Sequence, residues 1–220
     1  MEPVPSTHYD DEYFRYQAAG GQFAGIANRF KFEPFVGPDD DVLDFGCGTG
    51  YLLANLTCRR KMGVEVNPRA VEAARANGIE VYTRTSEVPD ASVDVIISNH
   101  ALEHALHPLA ELQALYPKLR PGGRIVFVVP CEGLHRRWRR GDINNHLYTW
   151  SPMNLGNLFA EAGYHVVESK PLWHLWPPKH RLVYRLTGWR VFHLICRVWS
   201  VVGWGVGQVR LVGNRPHDST

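Results

Sequence analysis

The segment Val42-Leu-Asp-Phe-Gly-Cys-Gly-Thr-Gly50 constrains the fold of this chain more than any other. A short apolar run ends in Asp44. Three glycines follow at alternate positions, Gly46, Gly48 and Gly50, and then the apolar stretch Tyr51–Leu56. This order predicts a strand, a tight turn and the start of a helix. Glycine admits positive φ and close approach of backbone to a ligand, and a helix start presents N–H groups without intrahelical partners. A nucleotide-like ligand suits such a turn. The G-x-G-x-G spacing differs from the G-x-G-x-x-G of dinucleotide sites, and no Lys follows as in a phosphate loop. An acid ahead of the turn repels phosphate and can pair with an ammonium group.

About fifteen residues further on, Met62-Gly-Val-Glu-Val66 reads as a second strand ending in Glu65. Asn67 is placed as a helix N-cap with Pro68 at the first helical position. An acid after the second strand can accept the hydroxyls of a ribose. A helix over 69–77 stops at Gly78. Further strands are predicted at 79–83, 92–98, 124–129, 164–169 and 207–213, with helices at 108–119 and 151–162. Strands alternating with helices predict an α/β fold with a largely parallel sheet.

Asp44-Phe-Gly-Cys-Gly-Thr-Gly50 resembles motif I of the class I S-adenosylmethionine-dependent methyltransferases. With Glu65, the Leu102-Glu-His104 element and the Leu119-x-Pro-Gly-Gly123 turn, the resemblance covers roughly residues 40–165. It extends to the methyltransferases of quinone, sugar and natural-product biosynthesis. The resemblance implies a Rossmann-like sheet of seven strands, mostly parallel, with helices on both faces and an antiparallel last strand beside the fifth. It implies S-adenosylmethionine as cofactor, leaving as S-adenosylhomocysteine. Asp44, Gly46, Cys47, Gly48, Gly50, Glu65, Val66 and Asn67 are then cofactor contacts, with Ser86 and Glu87 beside the adenine, Asn99 and His100 past the fourth strand, and Tyr16 from an aromatic entry segment that also holds Tyr9, Tyr13 and Phe14.

The chain reads as one domain of 220 residues. Residues 1–40 form an N-terminal helical cap, 41–170 the cofactor-binding core, 171–205 an insertion and 206–213 the last strand. The four cysteines are scattered, no signal peptide is visible, and no 18-residue apolar run exists, so a cytoplasmic protein is expected. Net charge is +2, which provides no general pull toward nucleic acid. The insertion is different. It carries Trp173, Trp176, Trp189, Trp199 and Trp204 with five Lys or Arg and no acids. Leu182, Leu186, Trp189, His193, Cys196 and Trp199 recur at helical spacing and predict an amphipathic helix. Its apolar face is expected on the sheet or on a second copy of the chain, with peripheral membrane contact as the other reading.

The sulfonium methyl is already electrophilic, so the protein must align an acceptor. A hydroxyl acceptor also needs a base within reach, and histidine is the natural one near neutral pH. His146, in the polar loop Asp142–Trp150, is the first candidate, because it resembles an H-x-x-x-[FW] element of the small-molecule enzymes. His104 and His100 are the alternatives. His135 adjoins Arg136, Arg137, Arg139 and Arg140, a cluster that could draw an anionic acceptor or simply solvate a loop. O-methylation of a small molecule or glycan is expected, with N-methylation of a small amine as the alternative. The [DNS]-P-P-[YF] element of base-modifying enzymes is missing, and Pro130-Cys131 follows the fifth strand, not the fourth as in cytosine-5 methyltransferases. No metal-ligand spacing is visible. A noncatalytic binding protein and a nicotinamide-dependent oxidoreductase are the rivals from other classes; intact motif I argues against the first and the glycine spacing against the second.

Overall fold

A computed structural model describes residues 11–132, 137–202 and 207–217, with side chains described from residue 20 onward. Tyr9, His135, Arg136 and Trp204 lie outside the described residues, as do the side chains of Tyr13, Phe14 and Tyr16. The chain begins with helix α1 (Asp11–Asn28). Strand β1 (Asp41–Phe45) leads through the glycine turn to a single helical turn, α2 (Tyr51–Ala54), and on to β2 (Arg60–Val64). Then come α3 (Pro68–Ala76), β3 (Glu80–Tyr82), β4 (Val93–Asn99), α4 (Pro108–Leu115) and β5 (Leu119–Pro130). Helix α5 (Pro152–Glu161), β6 (His165–Pro171), α6 (His180–Val202) and β7 (Gln208–Asn214) complete the described elements.

The seven strands form one sheet in the order β3-β2-β1-β4-β5-β7-β6. All pairings are parallel except those of β7, which runs antiparallel to both β5 and β6. The Pro-Gly-Gly segment predicted as a turn lies inside β5, where it appears as a register shift between the pairs Val93–Leu119 and Val95–Arg124.

Successive side chains of a strand point to opposite faces, and both faces of this sheet are apolar. Leu43, Ile96, Ile125 and Phe127 join Leu112 of α4 and Leu155 and Phe159 of α5 in one core. Val42, Val95, Ile97, Val126 and Val128 join Leu53 of α2 and Val71 and Ala74 of α3 in the other. Two covered faces explain why the central strands read as unbroken apolar runs.

The ends of α3 and α5 follow local rules. Asn67 Oδ1 accepts the N–H groups of Arg69 and Ala70. Ser151 and Asn154 form a reciprocal capping box. Helix α2 is shorter than the sequence suggests, because the chain leaves the helix at Asn55 and turns toward β2.

The insertion helix α6 differs from the expected one. It packs on α1, not on the sheet: Phe192 and Cys196 are fully buried with Ala27, against Phe23, Trp176 and Tyr184. The stripe predicted to face inward divides: Cys196 is buried and His193 half-buried, whereas Leu186 is 73% exposed and Trp189 51%. Gly188, at φ 69° and ψ 173°, breaks the helix and rotates the second half relative to the first. A spacing argument that runs through residue 188 therefore holds for only part of the helix. Among the described residues no helix is long and apolar enough to cross a membrane.

Candidate functional site

The strand order reverses between β1 and β4, so the carboxyl ends of these two strands open a crevice, the usual ligand position in open α/β sheets. Gly46 stands where the two edges meet. Its φ is +73°, and a Cβ there would lie 2.3 Å from Ala101 Cβ. Only glycine lets the turn after β1 pass this close to the segment after β4.

Two carboxylates define the first half of the site. Asp44 is buried on β1, and its Oδ1 has no hydrogen-bond partner among the described residues. Burial, and then the charge of Glu65, push its carboxyl well above the ordinary range. Glu65 lies just beyond β2. Its Oε2 accepts the Gly48 N–H at 2.9 Å, and its Oε1 accepts those of Val66 and Asn67, each at 2.8 Å. Burial raises the Glu65 pKa although these three N–H groups favour the anion. The carboxylate thus ties the glycine turn to the end of the second strand.

The other predicted contacts divide. Cys47 is buried against Gly63, and burial pushes its thiol up. Val66 is 59% exposed beside the turn. Asn67 caps α3 with its side-chain oxygen, as predicted. Ser86 and Glu87 are exposed on a 3-10 turn, where Glu87 accepts the Thr83 N–H at 2.8 Å. Asn99 ends β4, and its Oδ1 accepts a hydrogen bond from Lys31 Nζ at 3.0 Å; Gln208 Oε1 accepts another at 2.6 Å. Burial lowers the Lys31 pKa to about 7. Sequence reasoning passed over Lys31, because nothing near it in the chain marks it as buried.

The second half of the site is a cluster of imidazoles around a buried acid. Glu103 is 0% exposed on the 3-10 turn after β4. His100, held at φ +60°, places Nδ1 3.3 Å from Glu103 Oε1. His146 Nε2 stands 3.9 Å and His104 Nε2 4.0 Å from the same oxygen. None of these contacts is aligned as a hydrogen bond to Glu103. Burial alone would raise the Glu103 pKa, but His100 and His104 beside it leave it below the ordinary value. The rings of His104 and His146 meet edge to face at 5.0 Å. On its far side His146 Nδ1 lies 3.2 Å from Glu132 Oε1.

Backbone contacts hold His146 there. Leu147 N–H and Tyr148 N–H both donate to the Glu103 carbonyl, at 3.0 and 3.3 Å, and Trp150 N–H donates to the Pro130 carbonyl. Asn145 adopts φ +44° immediately before the histidine. The three predicted histidines thus come together, while Glu103 and Glu132 were not singled out. Glu103 lies inside the Leu-Glu-His element, and its position between two histidines was the available signal.

A methyltransferase-domain family model matches residues 15–169, more than half of the chain. Ribosomal protein L11 methyltransferase of Burkholderia mallei is 37% identical over 102 residues, 42% of this chain and 33% of that protein. The match therefore spans about a third of that relative's length. A methyltransferase of Haloferax volcanii, solved in complex with the Trm112 methyltransferase activator, superposes with a TM-score of 0.66 at 23% identity, over 94% of this chain and 99% of that one. Phosphoethanolamine N-methyltransferase 2 of Haemonchus contortus, solved with S-adenosylmethionine, gives 0.64 at 16% identity, over 96% of this chain and 59% of that one.

These likenesses correct the expectation about partners. A small-molecule or glycan acceptor, with a membrane surface or a second copy as the only further contact, does not stand: one relative is named for a ribosomal protein, and one structural neighbour is bound to an activator protein. The insertion helix offered as the membrane or dimer contact instead buries Phe192 and Cys196 on α1. The chain belongs to the methyltransferase-domain family and has the Rossmann-like fold of the class I S-adenosylmethionine-dependent methyltransferases.

Proposed function

We propose that this chain carries a methyl group from S-adenosylmethionine to an acceptor oxygen, and that His146 takes the acceptor's proton. The cofactor supplies an electrophilic methyl; the protein's share is to hold, align and deprotonate. The residues fit that ligand. Asp44 brings a buried carboxylate with an unmet oxygen, suited to an ammonium group. Glu65, already bonded to the glycine turn, is the acid for the ribose hydroxyls. Ser86 and Glu87 would flank the base, and Asn99 and His100 line the edge of β4. Helix α1 lies over the turn: a Cβ on Gly25 would stand 2.6 Å from the Tyr51 backbone.

The observation that carries the base assignment is the placing of His146 between two carboxylates. In the tautomer with its proton on Nδ1, Glu132 accepts that N–H and Nε2 becomes the proton acceptor, with Glu103 near enough to favour the imidazolium. His104 and His100 then act as positioning residues around Glu103. A neutral amine acceptor needs no such base, so the clustered imidazoles favour oxygen.

The acceptor oxygen is read as one carried on a protein. The connection between β5 and α5 that carries His146 is exposed on both sides of it in the chain: Trp138 is 87% exposed, Arg137, Arg139 and Arg140 are exposed before it, and Leu147 and Tyr148 after it. An apolar and basic rim suits a segment containing aromatic and acidic residues.

The test uses S-adenosylmethionine labelled in its methyl group and a whole-cell protein extract as acceptor. His146→Ala is expected to cut base-stable methyl incorporation about 100-fold or more, with S-adenosylhomocysteine affinity within twofold of the parent. Full incorporation by the variant would remove His146 as the base.

A further inference from the structure

We propose that Glu103, His104 and His146 form a binding site for one divalent transition cation of the zinc class. The carboxylate oxygen and the two imidazole nitrogens all lie within 4.8 Å of one another. They come from two separate segments, and the hydrogen bonds from Leu147 N–H and Tyr148 N–H to the Glu103 carbonyl hold those segments in register. The trio is therefore built before any ligand arrives.

The second observation is the state of Glu103. It is completely buried, and neither of its oxygens accepts a hydrogen bond among the described residues. A carboxylate taken out of water without such bonds or a full counter-charge is costly. Three imidazoles at 3.3, 3.9 and 4.0 Å surround one of its oxygens without aligning on it. Donor atoms of Glu103, His104 and His146 that converge within 4.8 Å of one another are arranged as ligands are around an ion.

The third observation lies outside the trio. His146 directs Nδ1 to Glu132 at 3.2 Å and turns Nε2 inward. A carboxylate that holds the outer nitrogen of a ligating histidine is the common support of such sites. Two nitrogens and one carboxylate oxygen make the three-ligand set that leaves a coordination position open. Imidazole-rich donors favour Zn²⁺ or Co²⁺ over Mg²⁺, which prefers oxygen and keeps its waters. Ligand atoms of a tetrahedral zinc site lie roughly 3.4 Å apart, so binding draws the donors together by up to about 1.4 Å.

The cation site rests on this geometry alone. Its use in catalysis rests on the reading above. A hydroxyl that takes the open position is acidified and gives its proton to water on binding. In the cation-free chain His146 takes that proton; with the cation bound, Nε2 is coordinated and the cation takes over the part of ionising the oxygen.

The experiment is calorimetric titration of the chelator-treated protein with Zn²⁺, Co²⁺ and Mg²⁺, with the visible spectrum of the Co²⁺ form as a direct readout of coordination. One Zn²⁺ per chain is expected, with a Co²⁺ spectrum of low coordination number and with Mg²⁺ binding at least 100-fold weaker. His146→Ala, on the exposed loop, and Glu103→Gln should each weaken Zn²⁺ at least tenfold. The double replacement Cys58→Ser with Cys131→Ser should leave it unchanged, which excludes the half-buried thiols. Absence of a one-to-one Zn²⁺ site, or Zn²⁺ affinity that survives His146→Ala, would overturn the proposal. S-Adenosylhomocysteine is titrated on the same samples. Cofactor binding without Zn²⁺ refutes the cation site alone, and Zn²⁺ binding without the cofactor refutes the methyl-transfer reading alone.

Discussion

Glu65 Oε2 accepts the Gly48 N–H at 2.9 Å, joining the end of the second strand to the glycine turn after the first. Both proposed jobs of Glu65, shaping the turn and meeting the ribose, pass through one carboxylate. Glu65→Gln replaces one acceptor oxygen by an NH₂ donor, which opposes a backbone N–H. We expect a loss of about 1–3 kcal/mol in stability, together with at least a tenfold loss in S-adenosylhomocysteine affinity. Thermal melting and calorimetry read the two effects separately, and an unchanged melting temperature would break the proposed link to the turn.

Gly46 makes a sharper demand. An alanine there meets Ala101 Cβ at 2.3 Å and also sits at φ +73°. The left-handed conformation alone costs roughly 1–2 kcal/mol, and overpacking adds about 1–3 kcal/mol. Gly46→Ala is expected to lower the melting temperature by about 4–20 °C. A variant that melts with the parent would mean that the turn has room to move.

Lys31 makes stability depend on pH. Its pKa in the folded chain is lowered to about 7 by burial, while that of an unfolded lysine is about 10.4. Between those values the unfolded chain binds the extra proton, so stability rises with pH through this window and is flat in this respect on either side. The slope contributed by Lys31 is at most about 1.4 kcal/mol per pH unit. Denaturant unfolding of the parent and of Lys31→Met, compared at pH 6, 8 and 9.5, should show the difference between them changing in the parent's favour as pH rises. A constant difference would place the Lys31 ammonium in a solvated site.

Much of the core was legible because its signals are local. Asp44 and the three glycines are neighbours in the chain, Asn67 and Pro68 mark their own helix, and the unbroken apolar runs of β4 and β5 follow from both faces of the sheet being covered. What escaped is held by contacts distant in sequence. Lys31 is buried by partners 68 and 177 residues away. The inward face of α6 depends on one glycine conformation at position 188. The cluster around Glu103 draws on two loops that Leu147 and Tyr148 join by bonding to its carbonyl. The histidines could be chosen by type and place, and Glu103 carried a signal in its position between two of them, but Glu132 is brought to His146 only by the folding of the loops.

The central claim is that the crevice between β1 and β4 holds S-adenosylmethionine with Asp44 at its charged end. Calorimetric titration with S-adenosylhomocysteine, in the parent and in Asp44→Ala, tests this most directly. The account predicts one micromolar site per chain in the parent and at least a 100-fold weaker one in the variant, with the variant still folded by circular dichroism. Absence of binding to the parent, or equal affinity in the two proteins, would contradict it.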